Sequence, residues 1–348
     1  MKKSKISAIL LVILSLSMIL TSCGNKNSSS GETTEENKTS SSGEVKNITW
    51  GSASLGGSAQ MMVTAIGTVV QEKDPSLHIT VQSTGGSAEN PRLLRNGSID
   101  IGHTTEAYNA YVGEGIFEGE GPIEDLMVVL KTYGVEALVL TLEDSPIKSM
   151  NDLVGKKVCI GPPGSGIAQM AQAILEAYDI TDKVTILNLG HNESVDSLKE
   201  GSIDVLFSFT TGGMPASYLQ QLDSTSKIKA IPLDMNVLQK AFDKYKDYAG
   251  ETIPEGAISC LDKPYETLAS YGIQVTRKSL TEDEVYSIVK NTYENIPELE
   301  NYIKLASALN IKTVLKGVPK ELKIHPGAAK YFKEQGVWDD SYTIGELD

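Results

Sequence analysis

Along this chain, short apolar runs rich in β-branched residues alternate with Gly- and Ser-rich breaks. Between them lie stretches whose apolar residues recur three or four apart. Asn47 to Gly51 reads as a strand and Ser52 to Gly57 as a loop. Met62, Ala65, Ile66, Val69 and Val70 then repeat at helical spacing, which predicts one buried helix face. Leu77 to Ser83 alternates like a strand, Thr84-Gly85-Gly86 breaks it, and a helix runs to Asn96. Gly97 stands where a left-handed helix cap is expected, and Ile99 to His103 is the next strand.

The second half repeats the theme. Lys157 to Gly161 is a strand and Pro162 to Gly166 a loop. Ile167, Met170, Ala171, Ile174, Leu175 and Tyr178 share a helical face. Lys183 to Leu189 is a strand, Glu193 to Glu200 a helix capped by Gly201, and Ile203 to Phe209 a strand. Pro215 suits the first residue of a further helix. Gly272 to Thr276 is a late strand, and Thr281 with Glu284 forms a capping box for the helix that follows. The windows 90–105 and 194–209 align on Leu94/Leu198 and on Gly-Ser-Ile-Asp at 97–100 and 201–204. The pattern predicts an α/β protein of two similar open-sheet domains, 47–142 plus 276–348 and 143–275. The chain crosses between them near Thr141 to Ser145 and again near Ile273 to Thr276. Open sheets of this kind bind ligands outside the carboxyl ends of their strands, so two facing sheets define a cleft.

The first 46 residues have another character. Lys2, Lys3 and Lys5 precede an apolar run from Ile6 to Leu20. That run is shorter than the ~20 residues of a membrane span and fits the apolar region of a signal peptide over residues 1–22. Leu20-Thr21-Ser22-Cys23 resembles the lipobox of bacterial lipoproteins, in which the Cys carries the lipid. Residues 23–46 are then the lipidated Cys and a polar tether too poor in apolar surface to fold, with a random-coil span of about 25 Å. The expected location is the cell membrane, lipid-anchored and facing the extracellular or periplasmic side. The net charge is −14; without the three leader lysines it becomes −17, which excludes nucleic acid as a partner. Cys159 and Cys260 are the remaining thiols and either pair or stay free.

The chain carries no G-x-S-x-G elbow, no Walker loop, no G-x-G-x-x-G after a strand and no H-E-x-x-H. The spacing of His78, His103, His191 and His325 suits no metal. No enzyme activity, cofactor or metal is expected. His103, at a strand end near the cleft, reads as structural or as a plain polar lining residue. What stands out is a set of hydroxyl- and glycine-rich loops leading into helices. From these the candidate ligand-binding residues are Ser54, Leu55, Gly57, Ser83, Thr84, Gly86, Ser87, Thr104, Thr105, Ser165, Gly166, Thr211 and Gly212. Glycine permits close backbone approach, and helix starts offer free N–H groups and partial positive charge, so an anion can be held without Arg or Lys. Arg92, Arg95 and Arg277 are the only arginines, and none is placed as a carboxylate clamp.

Gly51 to Gln60, Val81 to Leu94, Gly161 to Gly166, Phe207 to Pro215 and Ile324 to Ala328 resemble the TAXI family, the receptors of tripartite ATP-independent periplasmic (TRAP) transporters. The resemblance implies a two-domain periplasmic-binding-protein fold of type II-like form. It also implies a small organic solute, glutamate-like or another carboxylate, and a TRAP membrane permease as partner. The expected function is capture of a small anionic solute outside the cell and its delivery to that permease. The alternatives are a receptor for an ABC-type importer, or a surface antigen or adhesin that has lost ligand binding. The family's first loop ends Gly-Gly-Thr-Tyr-Tyr, whereas this one ends Gly56-Gly57-Ser58-Ala59-Gln60. Loss of the Tyr pair enlarges or rewets that wall, so glutamate itself is not carried over.

Overall fold

The computed structural model describes residues 45–347. The signal peptide, Cys23 and the tether as far as residue 44 lie outside the described residues. β1 (Lys46–Gly51), α1 (Ser58–Lys73), β2 (Leu77–Gln82), α2 (Asn90–Arg95), β3 (Ile101–Thr104) and the short α3 (Ala107–Val112) come first. A long strand, β4 (Met127–Leu142), follows. Next are β5 (Lys157–Cys159), α4 (Gly166–Ala177), β6 (Thr185–Leu187), α5 (His191–Lys199), β7 (Val205–Thr211) and β8 (Met214–Pro215). Then come α6 (Ser217–Thr225), β9 (Ile228–Ala230), α7 (Met235–Lys244), β10 (Ala249–Ile253) and a second long strand, β11 (Tyr265–Thr276). The chain closes with α8 (Glu282–Glu294), α9 (Ile296–Tyr302), β12 (Lys323–Ile324) and α10 (Pro326–Glu334).

The strands form one mixed sheet in the order β2-β1-β3-β11-β4-β7-β5-β6. β1 lies parallel between β2 and β3, and β5 lies parallel between β6 and β7. β4 and β11 run antiparallel through the middle. They exchange partners along their length. β11 pairs with β10 up to Ala269 and with β3 from Ile273, across a bulge between Tyr271 and Ile273. β4 pairs with β12 at Met127–Val128 and with β7 from Val135. Both long strands are buried on both faces over most of their length, so they appear in the sequence as continuous apolar runs without alternation.

The two halves are built on one plan, and the aligned Gly-Ser-Ile-Asp segments are its joints. Gly97 and Gly201 take left-handed φ values of 73° and 72° and turn the chain out of α2 and α5. Asp100 Oδ2 accepts from Thr49 N–H at 2.9 Å, and Asp204 Oδ2 accepts from Lys157 N–H at 2.8 Å. Each carboxylate therefore ties the incoming strand, β3 or β7, to its parallel neighbour, β1 or β5. The carbonyl of Asp100 accepts from Thr276 Oγ1 at the end of β11, and that of Asp204 from Thr141 Oγ1 near the end of β4.

Pro215 does not begin a helix. Gly212 and Gly213, at φ 56° and 77°, make the two-residue turn that favours a tight hairpin. Met214 and Pro215 fold back onto Thr211 and Thr210 of β7 as the edge strand β8, where a missing N–H is tolerated, and α6 starts at Ser217. Cys159 is buried in β5 and Cys260 half-buried, and both are free thiols. His325 caps α10: its Nδ1 accepts from Gly327 N–H at 3.2 Å and its Nε2–H faces the Leu280 carbonyl at 3.2 Å. A side chain on Gly327 would collide with the Glu282 carbonyl of α8, so the His-Pro-Gly segment is a helix-packing joint.

The matched joints predict matched energetics. Asp100→Ala and Asp204→Ala each leave a strand N–H without its acceptor, and each is expected to cost about 1–3 kcal/mol in urea unfolding. A negligible loss at either position would mean that water replaces the carboxylate there.

Candidate functional site

The loops after β1, β2, β3, β5 and β7 meet at one place. Asn90, fully buried at the start of α2, donates from Nδ2 to the carbonyls of Ser52 and His103 at 2.8 and 2.7 Å. It thereby locks the β1 loop to β3. Ser83 Oγ donates to the Ala53 carbonyl at 2.9 Å, which fixes the loop between β1 and α1. From the other half, Ser165 caps α4, accepting from Ala168 N–H at 3.3 Å and donating to the Pro162 carbonyl at 2.7 Å. The halves touch directly here. Ala88 N–H donates to the Gly164 carbonyl at 3.1 Å, and the Ser58 and Thr211 hydroxyls lie 3.3 Å apart.

These contacts leave a cavity of about 50 Å³, room for roughly three to five waters. Of the expected residues, Ser54, Gly57, Gly86, Ser87, Thr105, Ser165, Gly166 and Thr211 line it. The other five do not. Leu55 points to solvent with 75% exposure. Ser83 holds the neighbouring loop. Thr84 accepts from Gly86 N–H through Oγ1 at 3.1 Å. Thr104 Oγ1 donates to the Ser87 carbonyl at 3.0 Å. Gly212 makes the hairpin turn. These positions shape the lining without belonging to it.

The apolar and aromatic part of the wall was not expected from the loops. Val135, Ile167, Phe209, Tyr133 and His191 line the cavity beside Ser58 and Ala59. His191 stacks on Tyr218 with ring centroids 4.6 Å apart and meets Phe209 edge-on at 5.7 Å. Ala59 lies on this wall, while Gln60 turns away and donates to Thr64. His103 lines the cavity too.

The lining carries hydroxyls and imidazoles on a largely apolar wall and no charged side chain. Ser87 Oγ accepts from Thr105 N–H at 3.1 Å and lies 3.0 Å from Thr105 Oγ1. Burial pushes the imidazoles of His103 and His191 down to about 4, so both are neutral at physiological pH. The arginines are engaged elsewhere: Arg92 and Arg95 with Glu120, and Arg277 with Asp125. Among the described residues no group of three or more His, Cys, Asp or Glu is placed to hold a metal ion, and no helix is long and apolar enough to cross a membrane.

Residues 50–336 match the model of the NMT1-like family. Among solved structures, the binding-protein component of an ABC phosphonate transporter from Pseudomonas aeruginosa superposes with a TM-score of 0.50 at 12% identity, over 75% of this chain and 79% of that one. A putative L-cystine ABC transporter from Listeria monocytogenes gives a TM-score of 0.46 at 15% identity, over 76% and 95% of the two chains. The periplasmic aliphatic sulphonate binding protein of Escherichia coli gives 0.43 at 16%, over 82% and 78%. At such identities the likeness is one of fold, and the fold is periplasmic-binding-protein-like, an α/β architecture on a mixed sheet.

Two outcomes follow from this geometry. A Cβ on Gly166 would stand 2.6 Å from Thr105 Oγ1 and 3.1 Å from Ser87 Oγ, so Gly166→Val pushes the halves apart. On Gly85 it would meet mainly the carboxylate of Glu89 at 2.9 Å, the movable end of a side chain. Small-angle scattering is expected to report a larger radius for Gly166→Val than for Gly85→Val. The second outcome concerns pH. His103, His191 and the capping His325 have folded values near 4, below the ordinary 6.5. The unfolded chain therefore binds more protons between pH 6.5 and 4, and stability falls as pH drops through that window. Glu106 and Asp247, raised by mutual burial, act in the opposite sense, their contribution being lost as pH rises. In urea titrations between pH 7 and 5, His191→Phe, which keeps the stack on Tyr218, is expected to lower the steepness of the histidine-driven loss.

Proposed function

The chain belongs to the NMT1-like family, and from that membership we propose that it is an extracytoplasmic solute-binding protein that closes two lobes on a small solute and presents it to a membrane transporter. One observation carries this reading: five loops from the two halves converge on one small cavity lined by hydroxyls, backbone, apolar side chains and neutral rings. Nothing in that lining is arranged as a nucleophile with its base, so the reading is one of binding and not of catalysis. The lobes we infer are 47–134 with 273–348, and 135–272, so each boundary falls inside a long strand, ahead of the 142/143 and 275/276 expected from the sequence. The pivots are the partner exchanges at Gly134–Val135 and Tyr271–Ile273. A cavity of about 50 Å³ has to widen to admit more than a few atoms, and hinge motion about two crossing strands is a familiar way to do so.

The solute is a small anion or other hydrogen-bond acceptor, a carboxylate foremost. The transporter is of one of two kinds. An ABC-type importer is favoured by the Pseudomonas aeruginosa structure, the component of such a system. The TRAP permease is favoured by the TAXI-like segments around Val81–Ser87 and Ile324–Ala328. Uptake into membrane vesicles separates them, being driven by ATP in the first case and by an ion gradient in the second. Lipidation at Cys23 would keep the receptor beside either partner, since acyl chains anchor a protein without a spanning helix. Cys23→Ser is expected to release the protein from the membrane fraction.

The binding test is a thermal-shift screen of residues 45–348 with small carboxylates, amino acids and sugars, followed by calorimetry. A ligand at about 100 times its dissociation constant is expected to add ~2.7 kcal/mol, and Thr211→Val and Ser87→Ala to weaken it about tenfold or more. The absence of any binder would favour a surface antigen or adhesin.

A further inference from the structure

Several polar side-chain atoms at the cavity wall, on Ser54, His103, Tyr133 and His191, have no hydrogen-bond partner among the described residues, and two of them lie on the neighbouring rings of His103 and Tyr133. The first belongs to His103. Gln274 in β11 stands opposite His103 in β3, and its fully buried amide bridges two rings. Trp50 Nε1 is 2.9 Å from Gln274 Oε1, and Gln274 Nε2 is 2.9 Å from His103 Nδ1. An indole nitrogen can only donate, so it must face the amide oxygen. The amide NH₂ then faces His103, and Nδ1 must accept. A neutral imidazole that accepts at Nδ1 carries its proton at Nε2. No hydrogen bond among the described residues engages that Nε2.

The second is the hydroxyl of Tyr133. The side chain is 3% exposed and lines the same cavity, with its ring 6.4 Å from that of His103, and its hydroxyl has no hydrogen-bond partner. An unpaired buried hydroxyl is costly, so its retention calls for a partner that is absent from the empty chain. No carboxylate lines the cavity, and an ammonium group entering it would meet a fixed N–H donor without a counter-charge.

We propose that the Trp50–Gln274–His103 chain locks His103 as an Nε2–H donor beside the free Tyr133 hydroxyl, and that this pair selects a solute bearing a carboxylate over one bearing an ammonium group. The inference rests on the solute-binding reading and adds to it the residues that read the carboxylate and the tautomer that lets them. His103 and Tyr133 donate two hydrogen bonds to the carboxylate oxygens, and Gln274 and Trp50 are positioning residues that act through the His103 tautomer.

The test has a ligand-free arm and a ligand arm. Two-bond ¹H–¹⁵N correlation spectra of the empty protein at pH 7 are expected to report the Nε2–H tautomer of His103, and Gln274→Leu to let the other tautomer appear. An Nδ1–H tautomer in the parent overturns the proposal. Tyr133→Phe is expected to melt no lower than the parent, because it removes an unsatisfied hydroxyl; a clear fall in melting temperature means that the hydroxyl has a structural partner and overturns the pair. In the ligand arm, propionate, propionamide and n-propylammonium serve as size-matched probes. Propionate is expected to stabilise the parent most, and Tyr133→Phe to weaken its binding about tenfold. A preference for propylammonium or propionamide, or unchanged propionate binding in Tyr133→Phe, overturns the donor assignment while leaving the site standing. No shift with any of the probes overturns the solute-site reading itself and this inference with it.

Discussion

The antiparallel pairing of β4 with β11 is the constraint on which the rest of this molecule depends. Each strand begins among the partners of one half and ends among those of the other, so neither half can complete its sheet alone. The exchange occurs at a glycine in both strands, Gly134 and Gly272. A Cβ on Gly272 would stand 2.7 Å from Thr132 Oγ1 and 2.8 Å from His103 Cε1, so a side chain there would displace the rings at the base of the cavity. The same residue that lets β11 change partners thus lets His103 and Tyr133 pack side by side. The site lies where it does because the sheet changes hands there.

The interior of that site sets charge against geometry. Burying an Arg would require an acid beside it or a large desolvation cost. The arginines of this chain serve instead as surface ties to Glu120 and Asp125. What remains inside is a set of hydroxyls and imidazoles that burial keeps neutral. Neutral donors hold an acceptor less strongly than a buried ion pair would, and they leave no orphan charge when the cavity is empty. The net negative charge of the chain has no counterpart in the cavity lining.

Particular residues mark how far the sequence could be read. The loops were legible because glycine, serine and threonine at strand ends have few other uses, and eight of the thirteen candidate ligand-binding residues line the cavity. Of the five that do not, Leu55 points to solvent, and the other four are neighbours whose hydroxyl or backbone is spent on holding a loop or turn, a choice that depends on distances across the fold. Pro215 read as a helix start because its sequence neighbours allow one; the hairpin at Gly212–Gly213 is visible only once β7 is in place. Val135, Phe209 and Tyr133 lie inside strands, where an apolar or aromatic residue reads as core whichever way it faces.

By itself the sequence determined the alternation of strand and helix, the left-handed joints at Gly97 and Gly201, and the equivalence of the two Gly-Ser-Ile-Asp segments. These are local matters, settled by side-chain periodicity and by the backbone freedom of glycine. Only the tertiary structure decided that β4 and β11 are shared, that His103 is held in one tautomer by a residue 171 positions away, and that the Tyr133 hydroxyl is left without a partner. The reason is physical: a hydrogen bond between distant residues is a property of register, and register in a sheet buried on both faces leaves no alternating pattern in the chain to be read.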